Sequence, residues 1–242
     1  INCAAYTQVD FAEKDYELAK VINAEAPRVL SEALREYGGQ LIHISTDFVF
    51  NGKSNIPYKT KDKKDPINMY GKSKSLGEDY IERILEPTGQ SILLRTSWVI
   101  SPFGKNFLLT MLNLHKTKTF IKVVADQIGC PTSTFSLGRI CWDLMFKKMN
   151  TLDFPKKLHY SDCGVASWYD LAIAIGDIGE ELSLLKNKSY VQPIKTKDYP
   201  LPALRPNFSL LDSEETHLIL DLKQIHWRKT VKEILLKIKF EK

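Results

Sequence analysis

The 242-residue chain carries 34 basic and 29 acidic residues for a net charge of +5, with 43% hydrophobic and 26% charged residues. That is an ordinary globular composition, long enough for one large domain or a domain with a smaller lobe, and it excludes a disordered or collagen-like chain. The charge is spread without a basic run or interleaved aromatics, so it marks no nucleic-acid face, and no apolar stretch approaches the ~20 residues that span a bilayer. Cys3, Cys130, Cys141 and Cys163 stand far apart with no CxxC and no paired histidine. This argues against a zinc site or a disulfide framework and fits a reducing cytoplasm; no signal-peptide pattern is present.

In chain order, Ile1-Asn2-Cys3-Ala4-Ala5 reads as the tail of a buried strand already in progress. Residues 17–38 read as an amphipathic helix with Leu18, Val21, Ile22, Val29, Leu30, Ala33 and Leu34 largely on one side, Pro27 as a kink or break, and Gly38-Gly39 as its stop. A strand follows at 40–45, then a polar loop in which the lysines of Lys59 to Lys64 are most simply solvated, then a helix from Tyr70 to about Leu85. Residues 91–95 form an apolar run short enough for a buried parallel strand. Strands and helices alternating at this length predict an α/β fold with a parallel sheet covered on both faces. After Trp98 come a helix in FLLTMLNLHK, a strand in FIKVVAD, and a helix capped at Ser133 or Thr134. A brief strand in KLHYSD, a helix capped by Ser167, a strand in VQPI, a proline-rich passage and a closing helix near WRKTVKEILLKIK complete the chain.

The chemistry concentrates between Leu41 and Glu78. Tyr70 and Lys74 are four apart, so a helix puts them on one face, one turn from each other. A tyrosine hydroxyl has a pKa of about 10 and needs a nearby cation to stabilise its phenolate at neutral pH. Lys74 is placed for that, and Thr46 at a strand end offers a hydroxyl to hold a substrate oxygen. Alone, a YxxxK spacing also fits a surface helix pair, and Thr46 also fits a strand-end hydroxyl binding backbone. The five histidines, His43, His115, His159, His217 and His226, lack partner spacing and read as structural or exposed.

STDFVFNG, PYK and PINMYGKSKSLGE, read together, resemble the extended short-chain dehydrogenase/reductase superfamily, and within it the dTDP-4-dehydrorhamnose reductases. Trp98-Val99-Ile100, Gly104 to Phe107, Asp126 to Thr132 and Arg205-Pro206-Asn207-Phe208-Ser209 resemble recurrent signatures of the same family's substrate lobe. The departures are Phe48 where tyrosine is usual, Asn51 where aspartate is usual, and Ile100-Ser101 after the tryptophan. The resemblance implies a Rossmann-like doubly wound sheet over residues 1–98 and a smaller α/β substrate lobe over 99–242, with segments returning to the first domain. It implies reduction of the C4 ketone of a dTDP-linked 6-deoxyhexose with NADPH or NADH, in nucleotide-sugar and polysaccharide biosynthesis. Tyr70 would be the acid, Lys74 would lower its pKa and hold the nicotinamide ribose, and Thr46 would fix the carbonyl oxygen. Ala4, Ala5, Tyr6 and Thr7 would contact the cofactor. Val9, Thr46, Asp47, Trp98 and Arg205 would contact substrate, Asp47 through a sugar hydroxyl and Arg205 by a bidentate grip on the diphosphate. For Asp47 a turn cap, for Arg205 a salt bridge and for Val9 apolar packing are the competing structural readings.

No GxGxxG or GxxGxxG occurs in the sequence. A Rossmann domain normally opens with such a turn, so the resemblance implies roughly 60 further residues ahead of Ile1 in a full homologue, and a fragment or degraded copy here with weakened cofactor affinity. The expected partners are a dTDP-sugar and a second copy in a homodimer, with no metal. Two further readings share the motifs: a non-catalytic relative similar to the regulatory β subunit of methionine adenosyltransferase, and another nucleotide-sugar reductase or epimerase.

Overall fold

The structure, a computed structural model, describes residues 1–151 and 154–240. Helices and strands follow in the order α1 (Tyr16–Lys20), a π-helical turn (Val21–Glu25), α2 (Ala26–Tyr37), β1 (Leu41–Thr46), α3 (Met69–Leu85), β2 (Ser91–Thr96) and β3 (Val99–Ile100). They continue as α4 (Phe107–Thr117), β4 (Phe120–Val124), β5 (Ile128–Gly129), β6 (Thr132–Ser133), α5 (Thr134–Met149), β7 (Lys157–His159) and β8 (Ala166–Ser167). The last are α6 (Trp168–Glu181), β9 (Tyr190–Ile194), α7 (Glu214–Leu220) and α8 (Trp227–Phe240). The chain divides into two compact units: residues 1–96, 140–160 and 201–221 form the first, and residues 97–139, 161–200 and 222–242 the second.

The first unit is built on a parallel sheet of order β1-β2-β7, the α/β arrangement expected from the alternation of elements. All six residues of β2 are buried, as a central parallel strand flanked on both sides requires. Leu41 and Leu93 of the sheet pack with Ile81, Ile84 and Leu85 of α3. The opening residues form a single parallel bridge, Asn2 to His43, rather than a buried strand, and Ile1 is exposed.

The helix expected over 17–38 is present but broken as Pro27 requires. Pro27 has no N–H to donate, a π-helical turn precedes it, and α2 restarts with proline in its first turn. Its packing reverses the expectation. Leu18, Val21, Val29 and Leu30 are exposed, whereas Ala19, Asn23, Ala24, Pro27 and Ser31 are buried. Small residues face inward because α3 approaches closely: a Cβ on Gly77 would strike the carbonyl of Asn23. Sequence periodicity sees hydrophobicity, but here the short approach distance selects for size.

A buried ion pair ties α3 to β2. Arg95 Nε and Nη2 donate to the two oxygens of Glu78 at 2.9 and 2.7 Å, and both side chains are essentially inaccessible. Ser45 Oγ on β1 donates to the same carboxylate at 2.5 Å. Lys64, expected in a solvated loop, reaches in to within 3.3 Å of Glu78 and 2.6 Å of Asp79. His159 Nδ1 donates to the Tyr58 carbonyl, which leaves Nε2 to accept from Arg95 at 3.3 Å. With these cations around it, the Glu78 carboxyl is held down at about 2 despite its burial.

In the second unit, β4 pairs with β9 and β3 with β6 in parallel, and β5 with β8 antiparallel. Leu108, Leu112, Leu171, Ile175, Ile178, Ile234 and Leu235 supply its core from α4, α6 and α8. Ser167 caps α6 as expected, in a reciprocal capping box with Asp170. Helix α7 was not expected, because only seven residues, EETHLIL from Glu214 to Leu220, carry the pattern.

Removing one member of the buried pair strands the other. Arg95→Met is expected to lower unfolding free energy by about 3–5 kcal/mol in urea titration, with part of the loss recovered in Arg95→Met/Glu78→Gln because the second change removes the unpaired charge.

Candidate active site

Asn68 begins α3. Its side chain accepts from the Gly71 N–H at 2.7 Å, while its amide donates to the Leu204 carbonyl at 2.8 Å. Gly71 permits the contact that builds the site, since a Cβ there would strike the Phe48 carbonyl. The first turn of α3 is thereby pressed against the turn that follows β1, and Tyr70 meets Thr46 at the C-terminal end of that strand.

Thr46 caps the short turn of residues 47–49, its hydroxyl accepting from the Phe48 N–H at 3.1 Å and donating to Asp47 Oδ1 at 3.0 Å. Thr46 also acts to lower the Tyr70 pKa. Phe48 stands edge-on to Tyr70, ring centroids 5.7 Å apart. Asp47 is 2% exposed, and its Oδ2 has no hydrogen-bond partner among the described residues. Burial pushes its carboxyl up to about 6, against the hydrogen bonds from Ser209 and Thr46. A buried carboxylate oxygen without a donor is costly, and a ligand hydroxyl is the kind of group that satisfies it.

Lys74 turns its amine toward β1. Its Nζ donates to the Ile44 carbonyl at 2.7 Å and lies 3.2 Å from His43 Nε2. Burial lowers it to about 8, opposed by Glu78. Tyr70 is pushed up to about 12, chiefly by burial and further by Asp47, with only the Thr46 hydrogen bond opposing. The Lys74 amine is directed to the Ile44 carbonyl on β1, and burial is the largest influence on Tyr70.

The opening segment is pinned to the same helix. The amide of Asn23 donates to the Tyr6 carbonyl at 3.0 Å and to Ser73 Oγ at 2.9 Å, and its oxygen accepts from the Tyr6 N–H at 2.8 Å. Ala4 and Thr7 are exposed, and Ala5, Tyr6 and Val9 half-buried. Of the two readings left open for Arg205, the structure shows the salt bridge. Its Nη1 and Nη2 donate to the two oxygens of Asp10 at 2.6 Å each, and Nη1 also donates to the Ala203 carbonyl. The fork assigned to a diphosphate is filled by an internal carboxylate, and Arg205 fastens the 203–205 loop. Trp98 belongs to the second unit, where it stacks on Trp168 with ring centroids 3.6 Å apart and planes at 6°. Its φ of +45° is unusual for a bulky residue. Trp168 in turn donates to Gln127 at 3.1 Å.

His43, Asn2 and Asn23 escaped the sequence reading because their partners lie tens of residues away. Glu78 was within reach of it, since Tyr70, Lys74 and Glu78 repeat at intervals of four.

A family model described as the RmlD substrate binding domain matches residues 1–240. The dTDP-4-dehydrorhamnose reductase of Aggregatibacter actinomycetemcomitans is 37% identical over 236 residues, covering 97% of this chain and 79% of that protein. The spore coat polysaccharide biosynthesis protein SpsK of Bacillus subtilis is also 37% identical, over 97% of this chain and 77% of its own. A crystal structure of dTDP-4-dehydrorhamnose reductase from Bacillus anthracis in complex with NADP superposes with a TM-score of 0.88 at 33% identity, covering 97% of this chain and 79% of that one.

The buried Asp47 yields a signed pH prediction. Its folded pKa is raised from 3.8 to about 6, so the cost of its charge is absent below 3.8 and complete above about 6. Asp47→Asn is expected to stabilise the protein at pH 7 by on the order of 2 kcal/mol, an advantage that vanishes below pH ~4 when melting of the two proteins is compared.

Proposed function

The chain belongs to the dTDP-4-dehydrorhamnose reductase family, and on that premise we propose that it reduces the C4 ketone of dTDP-4-dehydro-6-deoxy-L-mannose to dTDP-L-rhamnose with NADPH or NADH. The observation that carries this reading is the meeting of Tyr70, Thr46 and Asp47 at the C-terminal end of a parallel strand, with one Asp47 oxygen unpartnered. In open parallel α/β sheets ligands bind outside the carboxyl ends of the strands.

The residues fit a nicotinamide cofactor. Ala4 and Thr7 expose an irregular segment after the Asn2 bridge that bears small side chains, over which a backbone-hugging ligand can lie, and the Lys74 amine stands behind Tyr70 on the same helix face. Bound there, the cofactor supplies the hydride. Tyr70 supplies the proton. Its burial keeps the hydroxyl protonated through neutral pH, and a sugar alkoxide is a far stronger base than a phenolate, so the transfer runs downhill. Thr46 orients the Tyr70 hydroxyl from one side, and its own proton is directed to Asp47. Asp47 Oδ2 is left to accept from a sugar hydroxyl next to the reacting carbon. Arg205 takes no part in this reading, because Asp10 occupies it. A nucleotide-sugar substrate and four cysteines that form no disulfide support a cytoplasmic setting. No helix among the described residues is long and apolar enough to cross a membrane.

Replacing Tyr70 by Phe is expected to lower turnover of the dTDP-sugar about 100- to 10,000-fold, followed by absorbance loss of NADPH, while nucleotide binding measured by fluorescence persists. Undiminished turnover in Tyr70→Phe would remove the assigned acid. A wild-type chain that binds NADPH but turns over no dTDP-4-dehydro-sugar would overturn the reductase reading.

A further inference from the structure

We propose that Glu13 is a positioning residue for Tyr70: its carboxylate takes the Met69 N–H and so fixes the first turn of α3, the turn that carries the tyrosine. The inference rests on the reductase reading for its bearing on turnover, while the contact itself is a feature of the fold. Phe11–Glu13 form a 3-10 turn whose Ala12 is fully buried, the Ala12 N–H donating to the Gln8 carbonyl at 3.0 Å. The N–H groups of Lys14 and Asp15 both donate to the Phe11 carbonyl, at 3.0 and 2.9 Å, so Glu13 stands between backbone anchors on either side. From there Glu13 Oε1 accepts from the Met69 N–H at 2.8 Å, across 56 residues of sequence.

A helix begins with N–H groups that have no carbonyl one turn earlier to receive them. In α3 the Lys72 N–H makes the first such backbone bond, to the Asn68 carbonyl at 3.0 Å, which leaves Met69, Tyr70 and Gly71 ahead of it. Gly71 is satisfied by the helix's own cap, the Asn68 side chain, at 2.7 Å. Met69 is satisfied from outside the helix, by Glu13. The residue before the tyrosine and the residue after it are therefore both held, in the turn of a helix that is most prone to fray. A carboxylate at this end also suits the positive pole of the helix dipole.

The turn that carries Glu13 is itself tied down. Asp10, at its start, accepts from both arms of Arg205 at 2.6 Å and from the Ala203 N–H at 3.2 Å, and the intervening Leu204 carbonyl accepts from the Asn68 amide at 2.8 Å. Glu13, Asp10, the 203–205 loop and Asn68 thus close a ring of side-chain bonds around the start of α3, in which Arg205 acts through Asp10. On the other side Gly71 lies against the Phe48 carbonyl, so the turn is also stopped in the direction of β1. Opening the Met69 contact breaks that ring and lets Tyr70 drift from the strand end that carries Thr46 and Asp47. A displacement of about 1 Å in a reacting group is enough to cost about 100-fold in rate. A carboxamide keeps the acceptor oxygen and loses the charge, so Glu13→Gln separates the bond from the charge.

The test compares Glu13→Ala and Glu13→Gln in the whole 242-residue chain. Amide exchange followed by NMR is expected to show the Met69 N–H protected in the wild-type chain, exchanging about tenfold faster in Glu13→Ala and recovered in Glu13→Gln, with the amides of β2 unchanged as the control for folding. The labelled ring carbons of Tyr70 should shift in Glu13→Ala and return in Glu13→Gln. In turnover, Glu13→Ala is expected to lose about 10- to 100-fold in kcat with KM for the dTDP-sugar within about twofold, and Glu13→Gln to return to within about threefold of wild type. Should Glu13→Ala fail to fold, Glu13→Asp, one methylene short of Met69, carries the same comparison. Faster Met69 exchange with kcat and the Tyr70 resonances unmoved is the result of a purely structural cap and would overturn the proposal, as would equal losses in the Ala and Gln variants, which assign the effect to charge. A wild-type chain without turnover overturns the reductase reading alone, and the Tyr70 resonances then decide the positioning role.

Discussion

The Glu78 carboxylate holds the candidate site in place. It receives both arms of Arg95 from β2, the hydroxyl of Ser45 from β1, and a nearby ammonium from Lys64. Ser45 is the residue before Thr46, and Lys74 is one helical turn before Glu78. Fixing one carboxylate therefore fixes the register between the strand end that offers Thr46 and Asp47 and the helix that offers Tyr70 and Lys74. A buried ion pair is seldom a net gain over apolar packing, so its use here is better understood as alignment than as stability.

Around that anchor, close approach replaces hydrophobic bulk. Gly71 lets the start of α3 touch the turn after β1, and Gly77 lets its middle touch the π-helical turn before Pro27. The helix consequently lies near enough for Asn23 to reach Ser73 and for Lys74 to reach the Ile44 carbonyl. The same tightness removes water from Tyr70, Asp47 and Lys74, and desolvation is the largest influence on all three. The site therefore holds a tyrosine that keeps its proton, a carboxyl biased toward taking one, and a lysine biased toward losing one.

Part of this was legible in advance. The alternation of apolar runs gave the parallel strands β1 and β2, and the Ser167 cap and the closing helix were placed by local chemistry. The motif residues Thr46, Asp47 and Tyr70 were identified and do come together. The sequence left a salt bridge open for Arg205 but could not name its partner, because Asp10 lies 195 residues away and no local pattern reports a pair at that separation. The exposed face of α1 and α2 was misread because periodicity ranks residues by hydrophobicity, whereas the inward face was chosen by size.

The sequence by itself determined the family, most of the order of elements and which hydroxyls are candidates for the chemistry, because these depend on short-range spacing and side-chain chemistry. Tertiary structure alone decided the protonation of those groups. Burial is the largest influence on the proton affinity of Tyr70, and contacts to the Ile44 carbonyl and to His43 of β1 direct the amine of Lys74. Charge state depends on desolvation and on partners brought from distant parts of the chain, and neither is written in local spacing.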